Sequence, residues 1–144
     1  MRRSKTRQSD DGSAAVEFLV GAVLLLVPLV YLVLTLGALQ AAAFATEGAA
    51  RGAALIVVRS PDAATLQGRV EAAVTVALAD FGVDRRGATV EVTCRPRPVC
   101  GPAGEVTVSV RVPVPLPLLP DGLPGALPVE GTATLATARF PGAP

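Results

Sequence analysis

Hydrophobic and polar residues follow a different pattern in each part of the chain. From Phe18 to Leu39 no residue carries a charge, and nearly all are apolar. Between Leu66 and Phe81 the apolar residues recur at the spacing of one helix face. From Val90 onwards valines alternate with polar residues, as in a strand with one buried face. These patterns predict a long apolar helix, then an amphipathic helix, then a sheet.

The uncharged stretch is long enough to be a transmembrane helix. Its 22 residues would rise about 33 Å as a helix, against roughly 30 Å of membrane hydrocarbon. Four basic residues precede it, whereas only Arg51 and Arg59 follow closely. This asymmetry predicts a cytoplasmic basic leader at 1–12, a membrane-embedded helix at 13–40 and an extracytoplasmic remainder. Pro28 lies in the middle of the span and should kink the helix.

A cleaved signal peptide is the alternative interpretation of this stretch. The small residues of "GALQAAAFA" fit a signal-peptidase site near Ala43, and cleavage there would release a secreted, disulfide-stapled binding module. The hydrophobic core of a signal peptide usually runs about 7–15 residues. Because the apolar stretch is longer and an acid stands at its start, we favour a span that stays in the mature protein, in contact with membrane lipid.

The segment at 41–59 is predicted to continue the helix as a stalk. Glu47 and Arg51 stand one turn apart, where they can form an ion pair. Gly48 and Gly52 make a small-xxx-small pattern, and alanines form a second stripe, which suits close helix packing. Two interpretations stay open: packing against other subunits or the outer domain, or an alanine-rich helix without a partner.

The remainder, 60–144, reads as a small α+β domain. Ser60 suits the N-cap of a second helix, and Gly82 suits the position after its end. One apolar stripe of this helix is assigned to the core: Leu66, Val70, Ala73, Val74, Ala77, Leu78 and Phe81.

Three segments after this helix predict a roughly three-stranded antiparallel sheet. "TVEVTC" and "EVTVSVRV" alternate cleanly enough for a hairpin with one wet face, and "VEGTATLATARF" follows as a third strand. The proline-rich stretch 113–128 is predicted as an extended connection, since proline cannot join a central ladder. Its leucines either anchor a partner or, as we favour, cover the open face of the sheet.

Composition narrows the chemistry. The chain has no histidine, and its single lysine, Lys5, lies on the cytoplasmic side of the predicted span. Ser-His and external Ser-Lys catalytic pairs are therefore excluded, and no phosphate-binding glycine loop is present, so we expect no enzyme, cofactor or small-molecule substrate. Cys94 and Cys100 without histidine cannot complete a zinc site and predict a disulfide instead. The near-neutral outer part argues against nucleic-acid binding.

Glu17 is the unexpected residue, because an acid at the start of a membrane span is costly. It can simply reach the headgroups and favour the helix N-terminus. Alternatively, cleavage after Gly12 would leave Ser13 with a new α-amino cation, which Glu17 of a neighbouring subunit could neutralise, setting the register between parallel helices.

The residues around Glu17 resemble a known processing site. In "GSAAVEF" a glycine is followed by a small residue, with a glutamate at the fifth position and an aromatic, Phe18, at the sixth, as in type IV pilin-like proteins. The wider stretch through Pro28, together with "ATEGAARGAA" after the span, is similar to TadE-like proteins, the minor pilin-like components of tight-adherence (Tad/Flp) pili.

This resemblance implies a function in pilus assembly at the cell membrane. It implies cleavage between Gly12 and Ser13 by a prepilin peptidase, with Glu17 required for processing or assembly. The implied partners are that peptidase, other pilin-like subunits and an inner-membrane assembly platform. The expected fold is pilin-like: the long N-terminal helix leads into the small extracytoplasmic domain, which acts by helix packing and subunit interaction.

Overall fold

A computed structural model describes residues 10–60, 63–96, 103–117 and 125–137. The elements follow in the order α1 (Asp10–Arg59), α2 (Ala63–Asp80), β1 (Thr89–Arg95), β2 (Glu105–Pro115) and β3 (Ala126–Ala136). The chain forms two compact units divided between Leu36 and Gly37, and α1 contributes to both. The predicted α+β class, with two helices and a three-stranded antiparallel sheet, is confirmed.

In the first unit, the described part is the helix at 10–36. Its large apolar side chains are exposed, among them Phe18 at 77% and Leu25 at 70% of their surface. The helix is continuous across Pro28. By length and composition, α1 contains one segment apolar enough to cross a membrane; the crossing itself and its direction stay predictions.

In the second unit the sheet has the order β1-β2-β3, with both pairs antiparallel. Alternate valines of β2 point to one face and are buried: Val106, Val108, Val110, Val112 and Val114. The other face is polar. There the hydroxyl groups of Thr107 and Thr134 lie 2.9 Å apart, those of Ser109 and Thr132 3.0 Å apart. The predicted alternation of buried and wet positions is therefore confirmed for β2.

β2 and β3 extend further into the proline-rich stretch than predicted, because β2 ends at Pro115 and β3 begins at Ala126. Their pairing explains how. The Thr137 N–H donates to the Gly104 carbonyl at 2.8 Å, and the register is uninterrupted. Even-numbered residues of β2 and odd-numbered residues of β3 therefore carry the hydrogen bonds between these strands.

The prolines fall on the positions that this pairing leaves unused. Pro128, an even-numbered residue, turns its missing N–H away from β2, and among the described strands β3 pairs with β2 alone. Pro113 and Pro115 face the side of β2 on which β1 lies. However, β1 begins at Thr89, which pairs with Arg111, so neither proline has a partner in that strand. None of them removes a ladder hydrogen bond, so strands can include them. The predicted extended connection at 113–128 is thus strand at both ends, and 118–124 lie outside the described residues.

α2 ends as the sequence predicts. Gly82 has a φ of +67°, and the Val83 N–H donates to the Leu78 carbonyl at 2.9 Å, which together form a left-handed C-terminal cap. Of the predicted core stripe, Val70, Val74 and Leu78 are buried. Phe81 is instead 48% exposed. Because α2 ends at Asp80, Phe81 lies after the helix and does not continue its buried face. Between Ser60, the predicted N-cap, and the start of α2 at Ala63, 61–62 lie outside the described residues.

The segment predicted as a stalk is part of the core of the second unit. Six of its alanines are almost completely buried: Ala42, Ala45, Ala49, Ala50, Ala53 and Ala54. β3 approaches this helix so closely that a methyl group on Gly131 would overlap with the backbone of Thr46 and Glu47 and lie 2.7 Å from the Thr46 carbonyl oxygen. Small side chains on α1 and a glycine on β3 therefore permit direct helix–sheet contact.

Candidate functional site

The predicted processing and register residues lie at the start of α1. The helix begins at Asp10, so Gly12 and Ser13 are within its first turn. Glu17 and Phe18 are both exposed. Glu17 has no ion pair or hydrogen bond to any described residue of the chain, so its carboxylate is available to a partner. Whether a neighbouring amino terminus is that partner stays a prediction.

The residues predicted for helix packing belong to the outward side of α1 in the second unit. Glu47, Gly48 and Arg51 line a groove of about 740 Å³. The opposite wall is formed by Thr132, Ala133, Thr134 and Leu135 of β3. We call this space the α1–β3 groove. Gly52 does not line it, although its Cα also faces open space.

Two apolar residues complete the groove and are not among the predicted site residues. Phe44 is 62% exposed and Leu55 is 38% exposed, and both line the groove beside Gly48. With Glu47, Gly48 and Arg51 they follow the i, i+3, i+4, i+7, i+11 spacing of a single helix face. That spacing is visible in the sequence, but the regular alanine stripe on the opposite side is the more prominent pattern.

The ion pair expected between Glu47 and Arg51 does not form. Across the described residues, the ion pairs are Arg85–Glu71, Arg86–Asp84 and Arg111–Glu130. Both Glu47 and Arg51 are exposed, and neither makes a hydrogen bond or ion pair within the described part of the chain. The groove therefore presents one carboxylate and one guanidinium that are both free for an external partner.

The buried side of the same helix contains a single polar side chain among the described core residues. Thr46 is fully buried, and its hydroxyl donates to the Ala42 carbonyl at 2.9 Å. This local bond satisfies the hydroxyl without a partner from the sheet. Thr46 therefore has a structural role beneath Gly131, which its position in the sequence does not indicate.

The disulfide prediction concerns the end of β1. Cys94 is disulfide-bonded and lies on the half-buried side of β1, opposite Val106 of β2. The sequence has one other cysteine, Cys100, which lies outside the described residues. The pairing of Cys94 with Cys100 stays a prediction.

A charged turn follows α2. The Arg86 guanidinium and backbone N–H both donate to the Asp84 carboxylate at 2.8 Å. The hydrogen bond from the Arg86 side chain holds the pKa of Asp84 below its ordinary value, and the same bond raises the pKa of Arg86. Both side chains are exposed, so this pair orders the turn and offers no buried charge for chemistry.

Within the described ranges, no three residues among His, Cys, Asp and Glu are close enough to hold a metal ion. Comparison with family models, curated proteins and solved structures finds no match to this chain. The candidate site is consequently defined by its own geometry: an exposed apolar helix start with a free carboxylate, and a groove with unpaired charges.

Proposed function

We propose that this chain is a TadE-like, single-span membrane protein that takes part in assembling a tight-adherence (Flp-type) pilus. The observation that carries the proposal is the exposed apolar helix at 18–36, which follows the Gly12–Ser13 step and the unpaired Glu17. An exposed apolar helix of this length needs lipid or other helices around it. A pilin-like subunit uses both environments in turn.

In this proposal the N-terminus is cytoplasmic and the second unit is extracytoplasmic. The protein acts by packing against related subunits and not by catalysis. A prepilin peptidase cleaves after Gly12, and Glu17 of one subunit neutralises the new amino terminus of its neighbour. The excess of basic residues before the apolar stretch supports this orientation, and the disulfide at Cys94 suits an oxidising compartment.

The burial of α1 argues against release of a secreted module by cleavage near Ala43. Ala42 and Ala45 are fully buried, and the helix is continuous on both sides of them. A cut there would separate Ala42 from the rest of this core. The same observation favours a mature protein that is not cut between Ala41 and Ala45.

The experiment that tests the proposal combines the mature N-terminus with pilus assembly. We expect chain extracted from membranes to begin at Ser13. We also expect Glu17→Ala to insert normally but to reduce surface pili severely, because the compensating charge is lost. Glu91→Ala, which changes an exposed acid on β1, is the matched control and should leave pili unchanged.

Two results would contradict the proposal. One is a soluble mature chain that begins between Ala41 and Ala45. The other is a normal number of pili in cells that carry Glu17→Ala.

A further inference from the structure

Two cavities mark the opposite ends of the second unit. One, of about 230 Å³, is lined by Ala38 of α1 and by Phe81, which follows α2. The other, of about 300 Å³, is lined by Val57 of α1 and by Leu66 near the start of α2. α2 therefore runs antiparallel to this part of α1, and its C-terminal end lies beside the residues at which α1 enters the unit.

The strands contribute apolar residues to the same end of the unit. Pro113 and Pro115 of β2 line the cavity that contains Ala38. Leu127 of β3 is the register partner of Val114, which lines that cavity as well. We define the apolar rim as four residues at this end of the unit: Phe81, Pro113, Pro115 and Leu127.

The apolar rim has little cover among the described residues. Phe81 is 48% exposed and Leu127 is 43% exposed, and the two prolines are exposed as well. Removal of apolar surface from water is favourable. The rim would therefore gain from contact with an apolar phase.

The charged residues near the rim do not favour a partner bound through charge. The Arg86 guanidinium is bound to the Asp84 carboxylate, and Arg85 lies 3.6 Å from Glu71. Asp80, at the end of α2, adds an acid and no cation. Since this end of the unit is not basic, attraction to an anionic surface has no support, and contact there depends on apolar side chains.

The position of the rim along α1 identifies its occupant. The uncharged stretch runs to Leu39, so Ala38 lies inside the predicted membrane span. Ala38 lines the same cavity as Phe81 and Pro115. Because Ala38 belongs to the second unit, contacts within that unit place these residues at the depth where the span ends. Aromatic and apolar side chains insert into a bilayer at that depth, where hydrocarbon meets the headgroups.

We propose that the apolar rim inserts into the interfacial layer of the lipid bilayer. The second unit then touches the membrane through a surface of its own, in addition to α1. This inference rests on the proposed function, which supplies the membrane span that ends beside the rim. Lipid is the occupant because the exposed apolar stretch of α1 continues directly into the end of the unit that carries the rim.

Tryptophan fluorescence tests the contact, because the chain contains no tryptophan of its own. The full chain is reconstituted in phosphatidylcholine vesicles whose acyl chains carry bromine, which quenches tryptophan on contact. Phe81→Trp should lose fluorescence relative to vesicles without bromine, and Leu127→Trp is a second probe of the rim. Val92→Trp is the matched control, because Val92 is 42% exposed and lines the cavity at the opposite end of the unit.

The control should keep its fluorescence in brominated lipid. Equal quenching of Phe81→Trp and Val92→Trp would overturn the proposal, as would no quenching at either position of the rim. A rim covered by a second copy or by another protein would give this second result, because bromine could not reach it.

The position of the bromine and the charge of the lipid sharpen the test. Interfacial segments insert roughly 5–10 Å, so bromine near the headgroup end of the acyl chain should quench Phe81→Trp more strongly than bromine near the methyl end. Quenching should be the same with and without anionic lipid. Quenching that requires anionic lipid would overturn insertion through apolar side chains.

Failure of this contact can be distinguished from failure of the proposed function. Alkaline extraction of the same vesicles reports whether the chain is integral to the membrane. An integral chain whose rim tryptophans are not quenched refutes the contact alone. A chain that alkali removes refutes the membrane span of the proposed function, and the contact with it.

Discussion

Two stretches of α1 differ sharply in what surrounds them. At 16–36 the helix consists mainly of leucine and valine, and these side chains are exposed. At 42–57 alanine dominates, and its face towards the sheet is almost fully buried. The less hydrophobic stretch thus forms the core. Burial here depends on which element packs against the helix. At 42–57 small side chains permit the close approach of β3, and this contact buries them.

The comparison also separates two uses of glycine in the second unit. Gly131 is required because α1 occupies the space of a side chain, whereas the space beside Gly48 is open. One glycine serves the fold of the single chain, whereas the other is not required by its packing. Substitutions matched between such positions can test the distinction directly.

The largest expected effect separates a buried leucine from an exposed one. Leu78→Ala removes a fully buried side chain of α2 and should destabilise the second unit by about 2–5 kcal/mol. Leu25→Ala, at a position 70% exposed in α1, should leave the free energy of unfolding nearly unchanged. Chemical denaturation of the full chain in detergent, followed by circular dichroism, measures both. Similar losses would show that the stretch at 16–36 is packed within the folded chain after all.

The next effect concerns glycine. Gly131→Ala should cost about 1–3 kcal/mol or more, since the added methyl group meets helix backbone that cannot rotate away. Gly68→Ala, in α2 where a methyl group would meet open space, should stabilise by roughly 0.5–1 kcal/mol. The two substitutions therefore differ in sign. A stable Gly131→Ala chain would mean that α1 and β3 are further apart than described.

The smallest effect compares two threonines with the same local hydrogen bond. The Thr46 hydroxyl donates to the Ala42 carbonyl at 2.9 Å and is buried, whereas the Thr35 hydroxyl donates to the Tyr31 carbonyl at 2.8 Å and is only partly buried. Thr46→Val should cost about 1 kcal/mol, since its methyl group replaces a bonded hydroxyl in a closed space. Thr35→Val should change the unfolding free energy little. If the two values are equal, the environment of α1 does not differ between the two stretches.

Much of the fold is predictable from periodicity. The alternation of valines in β2 fixes which residues are buried, because one shift in register would expose all of them. Gly82 identifies the end of α2, since a left-handed cap favours glycine. The strands' entry into the proline-rich stretch is not predictable in this way. It depends on which edge each proline faces, and that is decided by pairing between residues distant in sequence.

The candidate site is predictable only in part. Glu47, Gly48 and Arg51 are identified from spacing, but their ion pair is not formed, and the contributions of Phe44 and Leu55 to the groove require β3 as the opposite wall. The packing of the alanine stripe was equally open from sequence, because an alanine-rich helix suits a core, a neighbouring subunit or solvent. The close approach at Gly131 decides between these.

The sequence by itself determined the order of the elements, the apolar helix start with Glu17, and the buried face of β2, because each depends on local spacing. Only the tertiary structure decided that the alanine face of 41–59 packs in the core, which prolines a strand can hold, and which face of α1 is left open. These features depend on contacts between residues that are distant in sequence, and a local sequence pattern cannot indicate such contacts.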